Sequence, residues 1–264
     1  MRHEPSGETA QSVSPQIPPL TSPRTPDVRI GRRPLFFVGM AAILLAIVAV
    51  GFAPTFYLRT YFDARRPDAT SQAYPLYLYV HGVVLTLWFL LFFGQTLLIA
   101  LRRKPLHRSV GVAGAVLAAA VFSASLLVVI RSIARSGVNG VSAEQLPLVV
   151  IGDIGALLLF ALFVTGGIWF RQTPDVHKRL MLLASITIIA PAISRLPGGL
   201  AFFPFSVIVP QLALYGALVV YDVTSARRIH RVTVWGLSLY VAIAVATVVA
   251  GTSELGRALV NALK

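Results

Sequence analysis

Cysteine is absent from this chain and charge is scarce: Asp, Glu, Lys and Arg make up 12% of its 264 residues. A globular chain carries about 25% charge. An ordinary soluble domain and a coiled coil are therefore excluded. The lack of cysteine also excludes a disulfide-stapled secreted fold and thiolate chemistry. Acidic residues are the scarcest, 10 against 23 Lys and Arg, for a formal net charge of +13. No Walker loop, HExxH or GxSxG motif occurs. The hydroxyls inside apolar runs (Ser123, Ser185, Thr187) have no base beside them in sequence. Nothing here identifies a hydrolase.

What is present is apolar, 56% of the chain. The basic residues fall in short clusters between apolar runs, which is the pattern of a multi-pass membrane protein and not of a nucleic-acid binder. Seven runs stand out, at 34–57, 74–101, 108–131, 146–170, 179–200, 203–221 and 232–252. About 20 apolar residues cross a bilayer core, so the expected fold is all-α, a polytopic transmembrane bundle of seven spans. Pro197, Gly198, Gly199 and Pro204 crowd the connection between the fifth and sixth runs, and a re-entrant hairpin there would leave five. Residues 1–33, with Pro5, Pro15, Pro18, Pro19, Pro23 and Pro26 among polar residues, are expected to be a disordered tail and not a signal peptide. Residues 34–252 form the membrane domain, and 253–264 a short C-terminal tail.

With the tail in the cytoplasm, the inner segments hold 15 of the 23 basic residues and the outer segments 8. The inner set includes Arg102, Arg103, Lys104, Arg171, Arg227 and Arg228. The outer set is Arg59, Arg65, Arg66, Arg131, Arg135, Arg195, Arg257 and Lys264. The positive-inside rule then places the amino terminus inside and the carboxyl terminus outside. Tyr57, Tyr61, Tyr74 and Tyr77 would anchor the outer interface, and Trp169 and Trp235 the inner one. Gly111, Ala115 and Ala119, with Gly152 and Ala156, are spaced to bring the third and fourth spans close.

An ionisable group in hydrocarbon costs about 2.5–3.5 kcal/mol on insertion scales and asks for a partner or a role. His81 lies six residues past Pro75 and Asp153 six past Pro147. Each therefore sits about 9 Å below the outer boundary. Arg195, about 22 Å in from the inner boundary, reaches a similar depth. Ser142 and Gln145 resemble a capping box starting the fourth span, which supports that depth for Asp153. The expected cluster His81–Asp153–Arg195 reads either as a proton-responsive or ligand-binding pocket, or as an ion pair with a histidine that fixes helix register. His81, Leu85, Trp88, Phe92 and Gln95 share one face of the second span, which should look into the bundle. At the inner face His107, His177 and His230 each neighbour a cation at the start of an outward span. They read as a metal or haem site, or as interfacial anchors touching anionic lipid. His177 and Arg195, 18 residues apart, would share a face of one continuous helix.

The stretches GFAPTFYLR at 51–59, His81 with Trp88 and Gln95, LHRSVG at 106–111, HKRLMLLASITIIAPAISR at 177–195, Tyr221-Asp222 and IHR at 229–231 carry a resemblance. Over residues 35–240 the chain resembles a family of bacterial multi-pass membrane proteins of unassigned activity. The resemblance implies that His81, Trp88, Gln95, His107, Arg108, His177, Lys178, Arg179, Arg195 and Asp222 belong to a family pattern. A fainter similarity is to membrane cytochromes of the b561 type. A six-coordinate haem needs two imidazoles at matching depth, and the outer half offers only His81, so haem b is open only at the inner face. The expected location is the bacterial inner membrane. Three functions compete: solute or proton-linked transport or sensing at the outer cluster, haem-b redox chemistry at the inner histidines, and a structural or assembly role in a membrane complex. The partners expected are the bilayer, anionic lipid at the inner basic loops and a small ligand, with no nucleic acid.

Overall fold

A computed structural model describes residues 32–63, 75–134, 144–198 and 202–262. The tail before Arg32, and with it Arg65, Arg66, Tyr74, Arg135, Ser142, Gly199 and Lys264, lies outside the described residues. The described chain is helical throughout: α1 Arg32–Phe52, α2 Arg59–Asp63, α3 Leu76–Ala100, α4 Lys104–Ala134, α5 Leu146–Trp169, α6 Pro174–Thr187, α7 Ala190–Ile193, α8 Phe205–Ala226, α9 Arg231–Thr252 and α10 Glu254–Ala262. Six of its helical stretches are long and apolar enough to cross a membrane. They are Leu35–Tyr57, Leu76–Ala100, Lys104–Ile133, Leu146–Trp169, Phe205–Ala226 and Arg231–Thr252. Side chains around the outside of these helices are apolar and exposed, Val112 and Val116 at 70% for example, as lipid contact requires.

The segment expected as a continuous fifth span is broken. Pro191 has no N–H to give the Thr187 carbonyl, and its ring crowds that carbonyl, so α6 stops at Thr187 and the short α7 follows. The broken pair is nevertheless the heart of the bundle: Leu182, Leu183, Ala184, Ser185, Ile186 and Ile189 have no exposed surface. It runs the length of the fold. Arg179 near its start meets Asp222 at the end of α8, while Ala192 and Arg195 meet Gly51 and Phe52 at the end of α1.

Four further expectations change. Residues 32 and 33 belong to α1 rather than to the tail, and the tail at the other end folds as α10, whose Val260 packs with Val129, Ile133 and Leu146. The N-cap of α5 is Gln145 with no side-chain cap bond, so Gln145 does not serve as the third residue of a capping box. Gly111, Ala115 and Ala119 face outward, and a Cβ on Gly111 would meet nothing within 4 Å. Gly152 instead faces Thr247 of α9, so the small residue of α5 serves that neighbour and not α4. Finally, the break removes the five-turn register between His177 and Arg195, which lie at opposite ends of the bundle.

At Pro54 the end of α1 widens into a π turn over Ala53–Tyr57, with the Leu58 N–H donating to the Ala53 carbonyl at 2.7 Å. That turn carries Phe56 against Gly82 and the Tyr57 hydroxyl to 2.7 Å from Thr86 Oγ1, closing α1 over the start of α3.

Candidate functional site

Two polar regions form, one at each end of the bundle. At the end where α1 and α7 finish, a cavity of about 290 Å³ opens between α1, α3, α4, α5, α7, α8 and α9. His81, Asp153 and Arg195 all line it, together with Ser125, Ser194, Thr187, Gln211 and Tyr240. His81 comes from the second turn of α3, and its Nδ1 lies 3.4 Å from Ser125 Oγ on α4. Asp153 comes from the second turn of α5. Arg195 follows α7; its Nη1 donates to the Pro191 carbonyl at 2.6 Å, and its guanidinium lies 4.8 Å from the centre of the Phe52 ring. The guanidinium is near enough to act electrostatically on both Asp153 and His81. The same-depth argument thus leads to three side chains around one cavity.

The inner wall of this cavity is the break in the α6–α7 pair. Gln211 of α8 donates from Nε2 to the carbonyls of Ile186 at 2.8 Å and Thr187 at 3.1 Å; Ile186 also accepts from the Ile189 N–H at 3.3 Å, while Thr187 is the acceptor that Pro191 cannot serve. Its Oε1 accepts from the Tyr240 hydroxyl of α9 at 2.9 Å. Thr187 Oγ1 lies 3.1 Å from the Tyr215 hydroxyl, and the Tyr215 and Tyr240 rings stack at 4.6 Å. Buried polar groups need partners, and through Gln211 the break is tied to α8 and α9. The sequence reading missed Gln211, Tyr215 and Tyr240. The usable signal was an amide within an apolar run, one helix downstream of a proline that must free a carbonyl.

The stripe on α3 faces the bundle but divides among separate surroundings. Leu85 lines the cavity; Trp88 is buried against Phe160, with its Nε1 donating to Ser185 Oγ at 3.3 Å. Gln95 reaches the opposite end. With its amide turned so that both ends are matched, it donates to His107 Nδ1, donates to the His107 carbonyl at 3.2 Å and accepts from the Gly111 N–H at 3.2 Å. Trp88 and Gln95 therefore stand apart from this cavity, because about 10 Å of helix separates His81 from Trp88 and about 21 Å from Gln95.

At that opposite end His107 and His177 approach edge to face, with ring centres 6.2 Å apart. The His177 ring bonds the Gly167 carbonyl through Nδ1 at 2.7 Å, which requires its proton there and leaves Nε2 as an acceptor. His107 has the other tautomer: Nδ1 accepts from Gln95, so the proton is on Nε2. A metal or haem iron at Nε2 suits His177 in this state and not His107. His230 joins neither ring but a different cluster. Its Nδ1 caps α9 by accepting from the Val232 N–H at 3.2 Å, and its own N–H donates to Asp222 Oδ2 at 3.0 Å. Among the described residues no group of three or more His, Cys, Asp or Glu could hold a metal ion.

Asp222 is the centre of that cluster. Arg179 Nε and Nη2 donate to its Oδ1 at 3.0 and 2.5 Å, and the Thr233 hydroxyl donates to Oδ2 at 2.5 Å. Burial of the His230 ring holds its pKa below the usual 6.5, with the Arg179 charge acting in the same direction against the attraction of Asp222 and Asp175. Asp222 entered the sequence reading only as part of a family pattern, and Arg179 as that and as one of the inner basic residues; their pairing joins positions 43 residues apart and no local spacing announces it.

No protein-family model, curated protein or solved structure matches the chain.

Proposed function

We propose that this chain is a multi-pass protein of the bacterial inner membrane whose outer cavity takes up a small polar solute or a proton, in a transporter or a sensor. One observation carries the reading: His81, Asp153 and Arg195, on three different elements, line a single cavity of about 290 Å³. A bundle that needed an ion pair only to fix helix register would gain nothing from leaving space beside it, since cores close to crystal-like density. Intramembrane charges around a cavity are the usual mark of a substrate or proton path. The broken α6–α7 pair supports the same reading, because discontinuous helices expose backbone where they line such a site.

The membrane orientation belongs to this proposal. Arg102, Arg103, Lys104, Arg171, Arg227 and Arg228 gather at the end away from the cavity, beside the exposed indoles of Trp169 (79%) and Trp235 (69%). That end faces the cytoplasm by the positive-inside rule, and the α6–α7 pair completes seven crossings. Its basic loops would meet anionic lipid.

The test is thermal unfolding of the purified full-length chain in detergent, screened over small charged and polar solutes between about pH 5 and 8, where a histidine titrates. In the native chain a shift in Tm with solute at fixed pH is expected, or a pH dependence beyond the part that His230 supplies. His81→Ala and Arg195→Ala should abolish that response while remaining monodisperse. No solute response, and no pH dependence that His81→Ala reduces, would overturn the reading. A second reading, haem b at the inner face, draws on the approach of His107 and His177. It requires a Soret band after haem supplementation that His177→Ala removes.

A further inference from the structure

We infer that the groove between α3 and α4 seats one anionic phospholipid, with an acyl chain along the two helices and the phosphate among Arg102, Arg103, Lys104 and Arg108. The groove and the outer cavity are independent of each other, and the lipid site needs only that the long helices lie in a bilayer.

The shape of the groove selects an apolar chain. It encloses about 640 Å³ between Leu87, Leu91 and Leu98 of α3 and Val110, Ala113 and Leu117 of α4, and it ends at Leu101. Missing side chains leave the space: a Cβ on Gly94 would meet nothing within 4 Å, and Ala113 offers a single methyl. Leu87 and Leu90 are each 48% exposed, so the groove is open to the side along which lipid lies. Gln95 is the one polar side chain among the described lining residues, and its amide is engaged by His107 and by the Gly111 N–H. The walls therefore attract hydrocarbon and little else. From Leu87 to Leu101 the helix rises about 21 Å. One leaflet's half of the hydrocarbon core is about 15 Å. A chain extended through a leaflet fits along that length.

The charge at the end of the groove selects the headgroup. Arg102, Arg103 and Lys104 follow Leu101 directly, and Arg108 lies one turn into α4. All four are exposed, and none is in an ion pair among the described residues. No Asp or Glu occurs from residue 69 to residue 143, so neither helix offers a carboxylate. Lys178 and Arg179, by contrast, have Asp175 and Asp222 within the fold. Arg102 even takes a left-handed backbone, with φ of 60°, where a helix end ordinarily carries glycine. Arginine there adds a guanidinium at the rim. Arginine and lysine hold phosphate, and basic clusters beside membrane helices bind anionic headgroups. A second copy of the chain suits the groove poorly. Crossing the membrane in the same sense, it would bring its own four cations to the same depth.

The experiment is native mass spectrometry of the full-length chain in detergent, titrated with phosphatidylglycerol and with phosphatidylcholine of the same acyl chains. One phosphatidylglycerol should be retained per chain, at least about tenfold more tightly than phosphatidylcholine. The triple variant Arg103→Gln, Lys104→Gln, Arg108→Gln should bring the two lipids level. Gly94→Phe fills the groove without touching a charge, and should weaken phosphatidylglycerol about tenfold. Ala113→Leu, at an exposed position on the opposite wall, repeats that test should Gly94→Phe fail to fold. Phosphatidylcholine retained as tightly as phosphatidylglycerol by the intact chain would overturn the headgroup assignment. Phosphatidylglycerol binding that the groove-filling variants leave unchanged would reduce the site to attraction by the basic turn alone. Displacement by equimolar inorganic phosphate would make it a site for the free anion. A dimer in place of bound lipid would give the groove to a second copy. Each of these outcomes overturns the proposal, and none of them bears on the outer cavity.

Discussion

Asp222 has no exposed surface, and its carboxylate is met by Arg179 through two N–H groups, by the His230 backbone N–H and by the Thr233 hydroxyl. A buried pair of this kind is weak evidence for stability against apolar residues of the same volume, but removing one partner leaves the other charge stranded. Asp222→Ala should therefore cost about 3–5 kcal/mol in detergent unfolding. The double variant Arg179→Met with Asp222→Leu should recover most of that loss. Equal losses in both would contradict the stranded-charge account. His230 beside it makes a pH prediction. Its Nδ1 must be unprotonated to accept from Val232, and burial holds its pKa below 6.5. Below pH 6.5 the unfolded chain then binds more protons than the folded one, so stability falls as pH falls through that window and is fully present above it. Asp222, Asp175, Arg179 and Lys178 act on the same ring, so the readout is a difference between variants. His230→Asn keeps a capping side chain and removes the titration. Its unfolding profile between about pH 5 and 7 should be flatter than that of the native chain; an unchanged profile would assign the pH dependence elsewhere.

At the scale of the helix, the break between α6 and α7 is held by side chains from α8 and α9 rather than by its own backbone. Gln211→Leu removes the side-chain donor to Thr187 and one of two donors to Ile186, and should cost about 1–3 kcal/mol of stability for leaving the buried Thr187 carbonyl unpaired. A neutral result in thermal unfolding would mean that water already serves that carbonyl. Gly51 sets a closer constraint, since a Cβ there would collide with the Ala192 carbonyl and push α1 off the segment that carries Arg195. Gly51→Ala should destabilise the fold and weaken solute binding together. Gly39→Ala on the same helix, with nothing within 4 Å, should be neutral or stabilising by up to about 1 kcal/mol. The six long helices were legible in the sequence because each is an apolar run long enough to cross a bilayer. The broken fifth segment was not, because hydropathy averages across Pro191 and registers composition, not hydrogen bonding. The outward turn of Gly111, Ala115 and Ala119 was illegible for a related reason: small residues recur every four positions without saying which face meets a neighbour.

On the scale of the whole molecule, two ends of different chemistry emerge. One carries the basic loops, Trp169, Trp235 and the buried Arg179–Asp222 pair; the other carries the cavity. Depth counted from Pro75 and Pro147 was enough to bring His81 and Asp153 to the same level, since helical rise is fixed. Which residues stood beside them was not, because Gln211 and Tyr240 arrive from helices whose rotation only packing decides. The absence of cysteine makes the central claim directly accessible, as any introduced thiol stands alone. Ser125, beside His81 on the cavity wall, and Val116, exposed on the outer surface of α4, lie on the same helix. Each is replaced in turn (Ser125→Cys, Val116→Cys) in the full-length chain in sealed membranes, and a charged, membrane-impermeant thiol reagent is applied from the side that the proposed orientation makes periplasmic. A polar cavity open to that side predicts rapid modification of Ser125→Cys and none of Val116→Cys; a Ser125→Cys thiol as inert as the lipid-facing one would contradict it.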